Sequence, residues 1–227
     1  MSNSDGFIEE VTEELRRDQM MATLRRYGWI AVLAVFAIVG GAAYSEYSKA
    51  QTRAQAEALG DAMLAALDSP EPEARVTALQ AVDAVDPQAA AVLALLTASE
   101  QVAAEDLDGA VASLDAVAVN GDIPEIYRQI AQFKALTLQA ETMPAADRKQ
   151  GFEALGAAGG NLSLLAQEQL ALIAIQEGDI EGAIATYQAV LSDAGVTPDL
   201  QQRALQVIVA LGGEPDLSGA PLDENNG

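Results

Sequence analysis

The pattern of hydrophobic and polar positions changes most sharply at residues 27–45, a run with no charged side chain. It begins Tyr27-Gly28-Trp29 and ends Ala43-Tyr44-Ser45. As a helix, these residues would cover about 28 Å, close to the ~30 Å hydrocarbon core of a bilayer. Upstream, Phe7, Ile8, Val11 and Leu15 recur at helical spacing among Glu9, Glu10, Glu13, Glu14, Arg16 and Arg17. That spacing predicts an amphipathic helix running into the uncharged segment. Downstream, residues 46–67 contain no Pro and one Gly, and Leu59, Met63, Ala66 and Leu67 make an apolar stripe. Glu46 with Lys49 and Arg53 with Glu57 are helix-spaced opposite charges. This helix is expected to end at Ser69-Pro70-Glu71-Pro72.

From there to Leu211, helical periodicity alternates with short breaks. Asp86-Pro87 opens a helix, with Asp as N-cap and Pro in the first turn. Asp106 caps the next, and Asn120-Gly121-Asp122 ends it. Pro124 and Pro144 start two more. Gly156-Ala157-Ala158-Gly159-Gly160 reads as a loop, with Asn161 capping the next helix. Gly178 stops that helix and Asp179 caps its successor. Thr197-Pro198 opens the last helix, which stops at Gly212-Gly213. No period-2 strand is found, so the fold class is all-α. Residues 212–227 are polar and rich in Gly and Pro, and are expected to be disordered.

Composition sharpens this picture. The 227 residues suffice for one sizeable domain with appendages. There are 46 Ala and only 4% aromatic residues, which favours closely packed helices. The chain has no Cys and no His. That excludes Cys/His zinc sites, Cys nucleophiles, Ser-His-Asp triads and disulfides. Acids outnumber bases 34 to 12, a formal charge of -22, which argues against nucleic acid as a partner. The few bases are informative by position. Arg16, Arg17, Arg25 and Arg26 precede the uncharged run, while only Lys49 and Arg53 come closely after it. By the positive-inside rule the N-terminus is cytoplasmic and the acidic remainder lies across the membrane. Tyr27 and Trp29 at one end, and Tyr44 and Tyr47 at the other, are suited to membrane interfaces, beside Arg25 and Arg26 at the lipid heads. A cleaved signal peptide fits less well, because the run is long and 26 residues of mixed charge precede it. The expected organisation is a cytoplasmic head at 1–26, a transmembrane helix at 27–45, a helical stalk at 46–70, a repeat domain at 71–211 and a tail at 212–227.

Two segments repeat at a separation of 73 residues. Asp106-Leu107-Asp108-Gly109-Ala110-Val111 aligns with Asp179-Ile180-Glu181-Gly182-Ala183-Ile184, and Leu114 and Val117 then fall on Tyr187 and Val190. The pattern resembles the tetratricopeptide repeat. In that repeat the second helix carries a small residue, a large one four places on and a medium one three places after that. Here those positions are Ala110, Leu114, Val117 and Ala183, Tyr187, Val190. Gly178 fits the turn between paired helices, and Ala171 the small-residue position of the first helix. Between the two units, residues 126–155 match only by helical spacing. The resemblance implies a tetratricopeptide-repeat-like α-solenoid, in which stacking completes a core that no single helix pair can close.

Other leads carry little chemistry. Asp106-x-Asp108-Gly lacks the later ligands of a calcium loop. The run 156–160 has neither the preceding strand nor the succeeding Lys of a phosphate loop. Lys134, in a largely apolar helix, reads as a snorkelling side chain. Ala37 and Gly41, four apart, would let another membrane helix approach. No cofactor or catalytic group is implied.

The whole arrangement is similar to one bacterial family. Phe7-Ile8-Glu9-Glu10-Val11, Glu13-Glu14-Leu15-Arg16, then Arg25-Arg26-Tyr27-Gly28 look like its opening. Gly178-Asp179 to Tyr187, then Pro198-Asp199-Leu200 and Arg203-Ala204, look like its close. This family is the YfgM-like ancillary subunit of the SecYEG translocon. The resemblance implies a single-pass protein of the bacterial inner membrane. Its periplasmic repeats would contact secretory clients or periplasmic chaperones, and no catalytic residue comes with it. A tethered scaffold for another envelope or respiratory complex is the alternative.

Overall fold

The structure is a computed structural model that describes residues 4–216, except residues 85 and 161. Side chains are described at Trp29, at Leu33 and from residue 36 onward, with the same two exceptions. The described residues form nine helices and no strand: α1 Ser4–Ala66, α2 Pro72–Gln80, α3 Pro87–Ala103, α4 Leu107–Ala118, α5 Glu125–Leu138, α6 Ala145–Ala158, α7 Ser163–Glu177, α8 Ile180–Leu191 and α9 Pro198–Ala210. The chain divides into two units, Met1–Gly60 and Asp61–Gly227.

In the first unit α1 is continuous through the uncharged run. Its described side chains there, among them Trp29, Leu33, Phe36, Ile38 and Tyr44, are exposed. Among the described residues no helix is long and apolar enough to cross a membrane. The span expected at 27–45 falls in part outside the described side chains, which begin with Trp29, Leu33 and Phe36.

The second unit begins with the last turn of α1, and its helices pack on one another in chain order. The core is a series of four small clusters rather than one. Met63, Ala66 and Leu67 pack with Leu79 of α2 and Leu93 of α3. Ala98, Ala110, Leu114 and Ala131 join α3, α4 and α5. Leu136, Phe152, Leu155, Ala166 and Ile173 join α5, α6 and α7. Ala171, Tyr187, Leu191, Ala204 and Ile208 join α7, α8 and α9. Each cluster shares a helix with the next, so stability is built neighbour by neighbour.

The 73-residue relation extends across these clusters. Met63, Leu79 and Leu93 correspond in number to Leu136, Phe152 and Ala166. Ala98, Leu114 and Ala131 correspond to Ala171, Tyr187 and Ala204. The helix-to-helix turns correspond as well. Asp106 N–H donates to the Gln101 carbonyl at 2.8 Å and Glu105 N–H to that of Val102 at 3.0 Å. Seventy-three residues on, Asp179 N–H donates to Ala174 at 2.9 Å and Gly178 N–H to Ile175 at 3.1 Å. Both turns need a left-handed residue to release the chain from its helix. Gly178 supplies it at φ 82°, and Glu105 supplies it at φ 62°. The carboxylates of Asp106 and Asp179 then cap α4 and α8, accepting from Gly109 N–H at 3.0 Å and Gly182 N–H at 2.9 Å. A Cβ on either glycine would overlap the capping carboxylate.

One expected loop is shorter than the sequence suggested. α6 continues through Gly156 to Ala158, and only Gly159 at φ 73° and Gly160 at φ 78° turn the chain. Ala157 and Ala158 are strong helix formers and extend the helix past a single tolerated glycine. Leu162 takes the N-cap position of α7 with no side-chain hydrogen bond, and the expected cap Asn161 lies outside the described residues. Of the tail 212–227, only residues 212–216 are described. Gln188 holds them, donating to the Glu214 carbonyl at 2.9 Å and accepting from Asp216 N–H at 3.2 Å.

The middle unit carries an unusual core residue. Arg148, Phe152 and Leu155 are buried on α6 at the same four-then-three spacing as Ala110, Leu114, Val117 and Ala183, Tyr187, Val190. A cation thus stands where α4 and α8 have alanine. Seventy-three residues earlier, Arg75 is paired with Glu100 at 2.5 Å and also donates to the carbonyls of Ser69 and Pro70. The position matching Glu100 is Ile173, so among the described residues Arg148 makes no ion pair; it donates to Gln176 at 3.0 Å, and its Nε is buried without a partner there.

These turns and this arginine lead to two expectations. Glu105→Gly relieves the left-handed strain and should raise stability by about 1 kcal/mol, whereas Gly178→Ala should lower it by a similar amount. Arg148→Met keeps the volume and removes a poorly satisfied buried charge, so stability should rise by about 1 kcal/mol. Urea denaturation of the three variants beside the parent checks both; a loss in Glu105→Gly or in Arg148→Met contradicts the respective account.

Candidate functional site

Alternate helices of the second unit line a groove. On α3, Leu95, Ser99 and Val102 fall on one stripe at three- and four-residue spacing, and on α5, Phe133, Lys134, Thr137 and Leu138 face them. With Ala98 and the end of Leu114 they enclose a cavity of about 310 Å³. The small Ala98 lets α3 and α4 cross closely, which brings Leu114 to the floor. The walls are mainly apolar, and the polar groups are two hydroxyls and the Lys134 ammonium. Lys134 makes no ion pair among the described residues, although this unit is strongly acidic.

The corresponding place between α7 and α9 is filled by larger and paired side chains. Tyr187 replaces Leu114, Glu168 replaces Leu95, and Arg203 replaces Ile130. Arg203 pairs with both carboxylate oxygens of Glu168, Nε to Oε1 at 2.8 Å and Nη2 to Oε2 at 2.9 Å. The Glu168 hydrogen bond holds the Arg203 guanidinium above its ordinary range. Burial pushes the Tyr187 phenol up from 10.0 to about 12, helped by the Glu168 charge and opposed by Arg203.

The sequence-derived packing positions take these places. Ala110, Leu114, Val117, Ala171, Ala183, Tyr187 and Val190 are buried, and Gly178 is the left-handed turn residue. Leu114 touches the open cavity. Tyr187 lies in the third core cluster, beside Glu168 and Arg203. Trp29, Tyr44 and Tyr47 are exposed on α1, and the side chains of Arg25, Arg26 and Tyr27 lie outside the described residues. Among the described residues nothing packs against Gly41 within 4 Å. Asp106 and Asp108 sit at the N-terminus of α4, where Asp106 is a cap. Sequence reasoning missed Leu95, Val102 and Phe133 as groove residues, and Arg148 as a core residue. Extending the 73-residue alignment upstream to Arg75 and Arg148 would have exposed the last of these.

Antiparallel helix pairs stacked by alanine crossings, with a groove along alternate helices, define an α-solenoid scaffold. The chain matches the family model described as a tetratricopeptide repeat-like domain over residues 25–207, and it belongs to that family. No curated protein and no solved structure matches it. Repeat-like folds of this kind serve as protein–protein interaction modules and are typically not enzymes.

The Tyr187 phenol gives a pH test of the second half. Its folded-state value lies above the unfolded one, so the folded state holds this proton more tightly. The resulting stability is complete below pH about 10 and is lost as pH rises towards about 12. Denaturation midpoints between pH 9 and pH 12 should therefore fall more steeply in the parent than in Tyr187→Phe; equal slopes contradict it.

Proposed function

We propose that the protein is a non-enzymatic interaction module held at a bacterial inner membrane by residues 27–45. Its N-terminus is cytoplasmic and its repeat unit periplasmic. It accompanies the SecYEG translocon and links emerging secretory proteins with periplasmic chaperones. The observation that carries the reading is the open apolar groove of a tetratricopeptide repeat-like unit, on the same chain as a helix whose apolar side chains are exposed. Leu33, Phe36, Ile38 and Val39 point in different directions around α1. An apolar surface all round is what lipid covers, whereas a single protein partner covers one stripe. The arginine excess before the run supports the orientation, and the resemblance of the head and the last repeat supports the partner.

Tethering does the mechanical work in this reading. Holding the groove near the exit of the pore raises its effective concentration for emerging chains without any new contact. From Ser45 onward the chain has 28 acids against 8 bases, so its long-range field favours partners of net positive charge.

Affinity purification of the tagged full-length protein from membranes in mild detergent should recover SecYEG, and the protein should stay in the membrane pellet after carbonate washing. Release by carbonate removes the anchor from the reading. Retention with an envelope or respiratory complex in place of SecYEG replaces it by a scaffold for that assembly.

A further inference from the structure

The two halves of the repeat unit differ at one matched place, and the difference describes a ligand. Between α7 and α9 that place has its own aromatic ring, Tyr187, with Glu168 and Arg203 paired across its mouth. Between α3 and α5 the matched residues are Leu114, Leu95 and Ile130, and a cavity of about 310 Å³ is open. The crossing residues around it are alike: Ala98 and Ala131 are buried where Ala171 and Ala204 are. The crossings that accept the Tyr187 ring in the second half therefore recur in the first, where Leu114 stands in its place.

We infer that the first-half cavity binds an aromatic side chain of a protein partner, with a neighbouring carboxylate of that partner on Lys134. This rests on the interaction-module reading and specifies its anchor. The ring belongs there because the walls offer Leu95, Val102, Phe133 and Leu138 and no buried unpaired polar atom. The carboxylate belongs there because Lys134 is the cation on the wall. Its matched position in the second half is Val207, and it makes no ion pair among the described residues. This short-range preference is compatible with a partner of net positive charge, since the acidic field acts over a Debye length and the lysine acts at contact.

The probe is 3-phenylpropanoate, a ring and a carboxylate on one short chain, added to the full-length protein and read by saturation-transfer NMR and leucine methyl shifts. It should bind with a shift at Leu114 and about threefold more tightly than its neutral amide, the scale of one exposed charge contact. Leu114→Tyr, which installs the ring the second half already carries, should abolish binding. Lys134→Glu changes an exposed residue and should reverse the preference, losing the carboxylate and gaining 3-phenylpropylamine. The inference is overturned by no binding to the parent, by unchanged binding in both variants, or by octanoate binding in preference to 3-phenylpropanoate. Photocrosslinkers at Ser99 and Leu172 separate the two claims. Protein adducts from Leu172 alone leave the interaction module standing and remove this anchor, adducts at Ser99 that Leu114→Tyr suppresses support it, and none from either position removes the module itself.

Discussion

Close crossing of helices at alanine is the constraint on which the second unit depends. Ala98 against α4, Ala110 against α3, and their counterparts Ala171 and Ala183 are fully or almost fully buried. At such positions backbones approach to roughly 8–10 Å, and a larger side chain costs on the order of 1–3 kcal/mol in overpacking. The large residues then sit beside the crossings rather than at them: Leu114, Phe152 and Tyr187 are each four places after the crossing residue. Arg148 and its counterpart Arg75 depart from alanine at this position, and Arg148 reaches out to exposed Gln176 instead of filling the core. Between α5 and α6 the fit is made differently. The Phe133 and Phe152 rings meet edge to face at 5.6 Å, and Gly151 gives Leu136 room, since a Cβ there would lie 2.6 Å from its Cδ1.

A single backbone plan has thus been filled in two ways. In the first half polar pairs join α2 and α4 to α3, Arg75 with Glu100 and Ser113 with Gln101 at 2.8 Å, and Gln88 donates to the Tyr127 hydroxyl at 3.1 Å between α3 and the start of α5. In the second half a charged pair, Arg203 with Glu168, joins α7 and α9, and Tyr187 lies beside it. One place carries a charged pair and a buried tyrosine, and the other holds a cavity of about 310 Å³. The charged pair is bidentate but half-exposed on the arginine side, so its role is geometric more than energetic. It spans α7 and α9, and the matched positions on α3 and α5, Leu95 and Ile130, carry no such pair.

Much of this fold was legible in the sequence because its signals are local. Asp106 and Asp179 lie one residue before a helix, Gly178 lies at its end, and Pro87 and Pro198 lie in a first turn; each acts on backbone atoms a few bonds away. The 73-residue echo around Gly109 and Gly182 was visible because a capping carboxylate and a glycine must occur together there. Glu105 was not legible as a left-handed residue, since its type gives no sign and only its match with Gly178 does. The extension of α6 to Ala158 was likewise hidden, because glycine marks a possible stop and the neighbouring alanines decide whether it is used.

The sequence by itself determined the helical class, the two matched caps at Asp106 and Asp179 and the small-large-medium register of α4 and α8, since all of these come from backbone chemistry and period. It also set apart the uncharged run 27–45 and the arginines before it. Only the tertiary structure decided that a cavity lies between α3 and α5, and that Arg148 is buried with an unpartnered nitrogen. Those outcomes depend on Leu114, Leu95 and Lys134, or on Arg148 and Ile173, meeting across helices far apart in the chain. No local propensity encodes the room left where they meet.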